Sequence, residues 1–232
     1  MNLLELKLKC KEHGLKINEK QLEQFDKYAK FLVEYNKNVN LTAITKYEEI
    51  IEKHFYDSIL PSFMIDIDNE ICDVGAGAGF PSIPLKIVYP NLKVVILEPL
   101  KKRCVFLEKL VALLELDNVQ IKNVRAEDYA KDYRESYSLV TARAVANMSM
   151  LAELCIPLVK KNGIFLAMKG ANGEKEEEDA SNALRILKVK REKIEIVTLS
   201  DNSTRVNIAY RKVEHTPKKY PRMFAKIKKQ PL

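Results

Sequence analysis

Between Glu70 and Pro81 the chain reads Glu-Ile-Cys-Asp-Val-Gly-Ala-Gly-Ala-Gly-Phe-Pro, and no other stretch restricts the possible folds so strongly. A short apolar run leads into Asp73, glycines follow at 75, 77 and 79, and a new apolar segment begins at Phe80. That pattern predicts a strand that ends in a tight turn and opens a helix. Glycine there admits positive φ and lets bare main chain approach a ligand. A phosphate loop needs G-x-x-x-x-G-K-[ST], and no Lys-Ser or Lys-Thr follows Gly79. A dinucleotide fingerprint needs G-x-G-x-x-G, whereas the spacing here is G-x-G-x-G. Downstream, Lys93–Leu97 reads as a second strand that delivers Glu98. Its distance from Gly75 is close to the roughly 20 residues at which doubly wound folds place a ribose-binding carboxylate. A tight surface turn explains the glycines alone equally well. Taken with Asp73 and Glu98 they favour a ligand carrying a ribose and a cationic amino-acid end, and S-adenosylmethionine is such a ligand.

The 232 residues allow one large domain or a domain with an appendage. No apolar run reaches the ~18 residues of a membrane span, and the N-terminus shows no apolar signal core. A cytoplasmic location without membrane attachment is therefore expected. Cys10, Cys72, Cys104 and Cys155 are scattered and form no C-x-x-C pair, so structural thiols and no metal are expected. The net charge of +7 leans toward a polyanionic partner.

Residues 1–62 read as a helical cap. Asn18 with Gln21 resembles a capping box ahead of Leu22, Phe25, Ala29 and Leu32, and Thr45 with Glu48 predicts a second start, with Pro61 as its stop. Residues 63–232 then alternate strands (70–74, 93–97, 119–123, 137–141, 163–168) with helices (80–88, 100–116, 126–131, 147–160). A charged helix over Glu174–Lys188 follows, then a strand pair at 191–199 and 204–212. Such alternation predicts an α/β fold with a doubly wound, mostly parallel sheet, and the closing antiparallel pair fits its class I methyltransferase (Rossmann-like) variant. An N-terminal helical cap and a terminal antiparallel strand pair complete it, and the whole is expected to be one compact, monomeric unit. Ligands of open parallel sheets bind outside the strands' carboxyl ends. Those ends carry Asp73, Glu98, Ala126 with Glu127, Arg143, and Lys169 with Gly170.

Several ordered motifs add to this. They are Asn40–Ile44, His54–Ser58, Asp73–Leu85, Glu98–Arg103, Arg125–Glu127, Thr141–Ala146 and Lys169–Gly170. Together, from about Asn40 to Leu232, the chain resembles the glucose-inhibited division protein B family, methyltransferases of a guanine N7 in small-subunit (16S) ribosomal RNA. The resemblance implies a methyl-donor pocket lined by Gly75 and Phe80, with Ala126 and Glu127 flanking the adenine and Arg143 beside donor and substrate. With the glycine-loop reading, the expected donor-binding set is Asp73, Gly75, Gly77, Gly79, Phe80, Glu98, Ala126, Glu127 and Arg143, and Arg143 is also the expected catalytic residue. The tail from Pro221 to Leu232 is similar to the family's basic tail, but has Ala225 where a glycine and Ile227 where a proline is usual.

The chemistry implied is an in-line methyl transfer. Guanine N7 carries an in-plane lone pair and no proton, so no general base is required. Thr141-Ala142-Arg143-Ala144 stands where exocyclic-amine enzymes have Asp/Asn-Pro-Pro-Tyr/Phe, and Cys155 reads as core, not as a C5-type nucleophile. Arg143 has a plainer reading as a surface ion-pair partner, but its planar fork suits a phosphate or a guanine edge. Lys169 is as consistent with an ordinary strand end. His54, Asp57 and Ser58 lie too close in sequence for an activated triad, and packing is the better reading. Lys101, Lys102, Arg103, Lys169, Arg222, Lys226, Lys228 and Lys229 form the expected RNA contacts; the plainer reading of the basic tail is a solubilising one. Two rivals remain: a methyltransferase for a small molecule or protein, and a non-catalytic RNA-binding module on the same fold.

Overall fold

The computed structural model describes residues 1–67, 69–143 and 146–232; Ala144 and Val145 of the Thr141–Ala146 motif lie outside the described residues. Seven strands form one sheet: β1 (Glu70–Val74), β2 (Lys93–Leu97), β3 (Val119–Lys122), β4 (Tyr137–Arg143), β5 (Val159–Gly170), β6 (Val189–Thr198) and β7 (Thr204–Lys212). Their order is β3-β2-β1-β4-β5-β7-β6. The first five run parallel, and β7 lies antiparallel to both β5 and β6. The chain winds outward from β1 to β3 and returns to β4 beside β1. That reversal opens a crevice at the carboxyl ends of β1 and β4.

The N-terminal helices are α1 (Leu3–Glu12), α2 (Glu19–Asn36), α3 (Tyr47–Ile50), α4 (Asp57–Ile59) and α5 (Pro61–Met64). They are followed by α6 (Ser82–Val88), α7 (Lys101–Leu113), α8 (Ala126–Tyr129), α9 (Met148–Cys155), α10 (Gly173–Asp179), α11 (Ser181–Ile186) and α12 (Phe224–Lys229). The Asn18–Gln21 capping box is present in both directions at the start of α2. The second expected start is not: α3 begins at Tyr47 after Lys46, and no side chain caps it. Ile51–Tyr56 continues as a π-helical segment, and Pro61 opens α5 at its first position, where a missing N–H costs nothing.

Other boundaries differ too: the fifth strand begins at Val159 and not at 163, and the helix expected over 100–116 ends at Leu113. β4 extends to Arg143 because β5 pairs with it as far as Met168. The expected helix over 147–160 ends at Cys155, and Ile156–Leu158 around Pro157 tightens into a 3₁₀ turn before β5. The charged stretch 174–188 is two helices broken at Ala180, a bend that turns Ala183 and Leu184 inward.

Period-2 alternation along β1 and β2 feeds two cores, one on each face of the sheet. Ile71, Val94 and Ile96 pack with α6, α7 and the N-terminal helices, among them Phe25, Tyr28, Leu32, Ile50 and Phe55. Cys72, Val74, Val95 and Leu97 pack with α8, α9, α11 and α12. The N-terminal helices thus share a core with the sheet. All four cysteines are buried and free. Among the described residues no helix is long and apolar enough to cross a membrane, and no group of three or more His, Cys, Asp or Glu could hold a metal ion.

Candidate active site

Past β1 the backbone takes positive φ at Gly75, Gly77 and Gly79, at 73°, 60° and 100°. A Cβ on Gly79 would fall 2.8 Å from both Ile83 Cγ1 and Tyr28 Oη, whereas one on Gly77 would meet only the end of Arg103 at 4.0 Å. Two neighbours fix the loop. Tyr28 of α2 donates its hydroxyl to the Ala78 carbonyl at 2.5 Å. Glu98, at the end of β2, accepts from Gly77 N at 3.1 Å and from Leu100 N at 2.9 Å. Beside this loop lies a cavity of about 370 Å³ whose wall includes Gly75, Glu98, Ala126, Glu127, Arg125 and Phe224. Ala126 and Glu127 reach it as the first residues of α8, and burial pushes the Glu127 carboxyl up. Glu98 is 1 % exposed, its carboxylate held by these two amides at the cavity wall.

Of the expected donor residues, Gly75, Glu98, Ala126 and Glu127 line this cavity, and Asp73, Gly77, Gly79, Phe80 and Arg143 do not. Asp73 is fully buried; one carboxylate oxygen accepts from Ser82 N at 3.2 Å at the start of α6, and the other has no partner. Burial pushes its carboxyl up to about 7. Asp73 therefore supports the turn from below and lines neither this cavity nor the next. Phe80 is likewise buried, its ring stacked on Tyr28 and on His54. The Arg143 guanidinium lies over its ring at 4.7 Å.

A second cavity of about 580 Å³ lies at the ends of β4 and β5, lined by His54, Asp57, Arg143, Lys169, Glu176 and Arg205 among others. Arg143 donates to Asp57 Oδ2 and to His54 Nδ1, each at 2.9 Å. Arg205 Nε stands 3.2 Å from Asp57 Oδ1, which has no hydrogen-bond partner. His54 Nδ1 accepts from arginine, so its Nε2–H donates to Thr42 Oγ1 at 2.8 Å. Burial, then the adjacent Arg143 charge, pushes the imidazole down to about 3. Ser58 donates to the His54 carbonyl and not to its ring, which rules out a triad. Lys169 is tied to Glu176 and to the Ala146 carbonyl, both at 2.6 Å.

The expected RNA residues divide into two groups. Lys101, Lys102, Lys226, Lys228 and Lys229 are exposed, and Arg103 is half-buried on the rim of the first cavity, 3.8 Å from Glu98. Arg222 instead forms a bidentate pair with the buried Glu153, at 2.8 and 2.6 Å, and Lys169 is paired as above. Arg205, Arg125 and Phe224 also line these cavities; the sequence marks Phe224 as a ring among the cations of the basic tail and Arg125 as part of a motif, and Arg205 belongs to neither. Arg205 had a legible signal: it starts an antiparallel strand, and Gly170, at the carboxyl end of β5, pairs with it. The start of such a strand shares the edge where parallel strands end.

The family described as rRNA small subunit methyltransferase G (GidB) matches residues 21–205. The ribosomal RNA small subunit methyltransferase G of Oceanobacillus iheyensis is 52% identical over 227 residues, covering 96% of this chain and 95% of that protein. Its counterpart from Bacillus subtilis is 48% identical over 237 residues, covering 100% of this chain and 99% of that protein. Among solved structures, a precorrin-6y C5,15-methyltransferase from Geobacter metallireducens superposes with a TM-score of 0.52 at 18% identity, covering 72% of this chain and 90% of that one. At that identity the likeness speaks for the Rossmann-like fold alone. With the glycine loop, the reversal between β1 and β4 and these relatives together, the chain belongs to the GidB family, rRNA small subunit methyltransferase G, and is an rRNA methyltransferase.

Proposed function

We propose that the chain transfers the methyl group of S-adenosylmethionine to N7 of a guanine in small-subunit (16S) ribosomal RNA, in line and without a general base, as a cytoplasmic enzyme acting as a monomer. The observation that carries this reading is the position of Arg143. It ends β4 at the reversal beside β1, rests on the ring that follows the third loop glycine, and faces a cavity of its own. Arg143 lines the second cavity and not the first, so a base held in the second would lie beside it.

The donor set fits S-adenosylmethionine. The Glu98 carboxylate accepts two backbone amides and keeps lone pairs for ribose hydroxyls, while Leu97, Leu100 and Phe224 supply apolar wall for a purine. When bound, that donor supplies an electrophilic methyl on a cationic sulfur. This chain supplies alignment of two reactants, which lowers such barriers by several kcal/mol. Absence of a base is supported by the groups around Arg143: His54 is held neutral as an acceptor and Asp57 is engaged by two arginines. An acceptor atom that carries no proton needs neither. Arg143, with its fork already anchored, would orient the guanine edge. Exposed Lys101, Lys102, Lys226, Lys228 and Lys229 would contact phosphates.

The test is incubation of the protein with methyl-labelled donor and small ribosomal subunits lacking the modification. Nuclease digestion and mass spectrometry of the nucleosides follow. The expected product is labelled 7-methylguanosine. Label that resists ribonuclease but yields to protease, or that stays with small molecules, would contradict the proposal.

A further inference from the structure

The C-terminal helix does more than carry lysines. Ala225 and Ile227 permit α12 to form, and the helix is pinned on both sides: Arg222 holds the buried Glu153 of α9, and Ile227 is fully buried in the adjoining core. Between these anchors Phe224 projects into the wall of the first cavity, with Gly75, Glu98, Ala126 and Arg125. The Arg125 guanidinium carbon lies 4.7 Å from the centre of the Phe224 ring. Arg125 directly precedes Ala126 and Glu127, so the pair joins the two chain segments that border the cavity there.

We infer that Phe224, paired with Arg125, is the platform on which the purine of the donor stacks, making α12 a wall of the donor site. The inference rests on the reading of the first cavity as the donor site. A phenyl ring and a guanidinium plane both offer flat, polarisable surface to a purine face, and neither makes a demand on its hydrogen-bonding edge. Selectivity for the ribose is left to Glu98. Phe224 is thus a positioning residue for the donor, contributed by the very end of the chain.

The chain contains no tryptophan, which gives a direct test. In Phe224→Trp the new indole is the sole tryptophan, and a purine stacked on it quenches its emission. Titration with S-adenosylhomocysteine is expected to quench that emission and to saturate at the affinity found by calorimetry. Phe224→Ala is expected to bind the same ligand about tenfold more weakly or worse, with Phe224→Tyr retaining most of the affinity. Unchanged emission while calorimetry records binding, or full affinity in Phe224→Ala, would overturn the inference and leave the donor site standing. A wild-type protein that does not bind S-adenosylhomocysteine would overturn the donor reading itself.

Discussion

Gly77 and Gly79 sit two residues apart in one loop with positive φ, yet they answer to different constraints. At Gly77 a side chain has room, and alanine costs only the left-handed backbone, about 1 kcal/mol. At Gly79 the added carbon would strike Ile83 and the Tyr28 hydroxyl that holds Ala78, so Gly79→Ala should lose at least about 3 kcal/mol and most donor affinity. Urea unfolding of the two variants checks the ranking; equal losses would contradict it. His54 gives a second prediction. Its folded pKa is pushed down to about 3 from the usual value of 6.5. The unfolded chain therefore takes up a proton that the native state refuses. The stability this contributes is fully present above pH 6.5 and is lost progressively as pH falls toward 3. Asp73, whose carboxyl is pushed up to about 7, contributes with the opposite sign between pH 7 and 3.8, so the His54 contribution is read as a difference: wild-type urea midpoints should fall relative to those of His54→Asn as pH drops from 6.5 toward 3. Any inflection in the pH dependence of kcat near neutrality should persist in His54→Asn, since this imidazole does not titrate there. The glycine positions and Glu98 were legible because their spacing states a backbone requirement. Asp73 was legible as a strand tip, but the face to which it points depends on Ser82 and the start of α6.

At the level of elements, the number and order of the strands were readable, because buried parallel strands read as short apolar runs, although β5 runs over Val159–Gly170 where 163–168 was expected. Helices whose boundaries depend on tertiary neighbours were not readable. The π-helical turn over Ile51–Tyr56 leads from His54 to Asp57, and no propensity marks it. The tail divides in the same way. Its charge was plain from composition, yet Arg222 is turned inward onto Glu153 while Lys226, Lys228 and Lys229 face solvent. Reversing those three lysines to glutamate should weaken binding to ribosomal RNA and reduce the slope of log K against log salt by about 3, one for each phosphate no longer neutralised. Filter binding over a salt series measures this. An unchanged slope would remove α12 from the RNA surface. Arg222→Ala should instead lower stability with little change in slope, since its charge is already spent on a buried carboxylate.

Across the whole molecule, the N-terminal helices share one buried core with the sheet beside the crevice. Tyr28 from α2 holds the glycine loop, and Asp57 holds Arg143 from the side of the cap. The sequence marks the helical region as a cap on the following domain, but these particular long-range contacts could not be read from it. They place the cavity proposed for the donor and a second, arginine-lined cavity along one edge of the sheet, with exposed lysines beyond. The account stands on where the donor goes. Diffraction from crystals grown with S-adenosylhomocysteine tests that most directly. Density is predicted beside the glycine loop, with the ribose hydroxyls on the Glu98 carboxylate and the sulfur directed toward Arg143. Density for the ligand at any other place, or a ribose that leaves Glu98 untouched, would contradict the account.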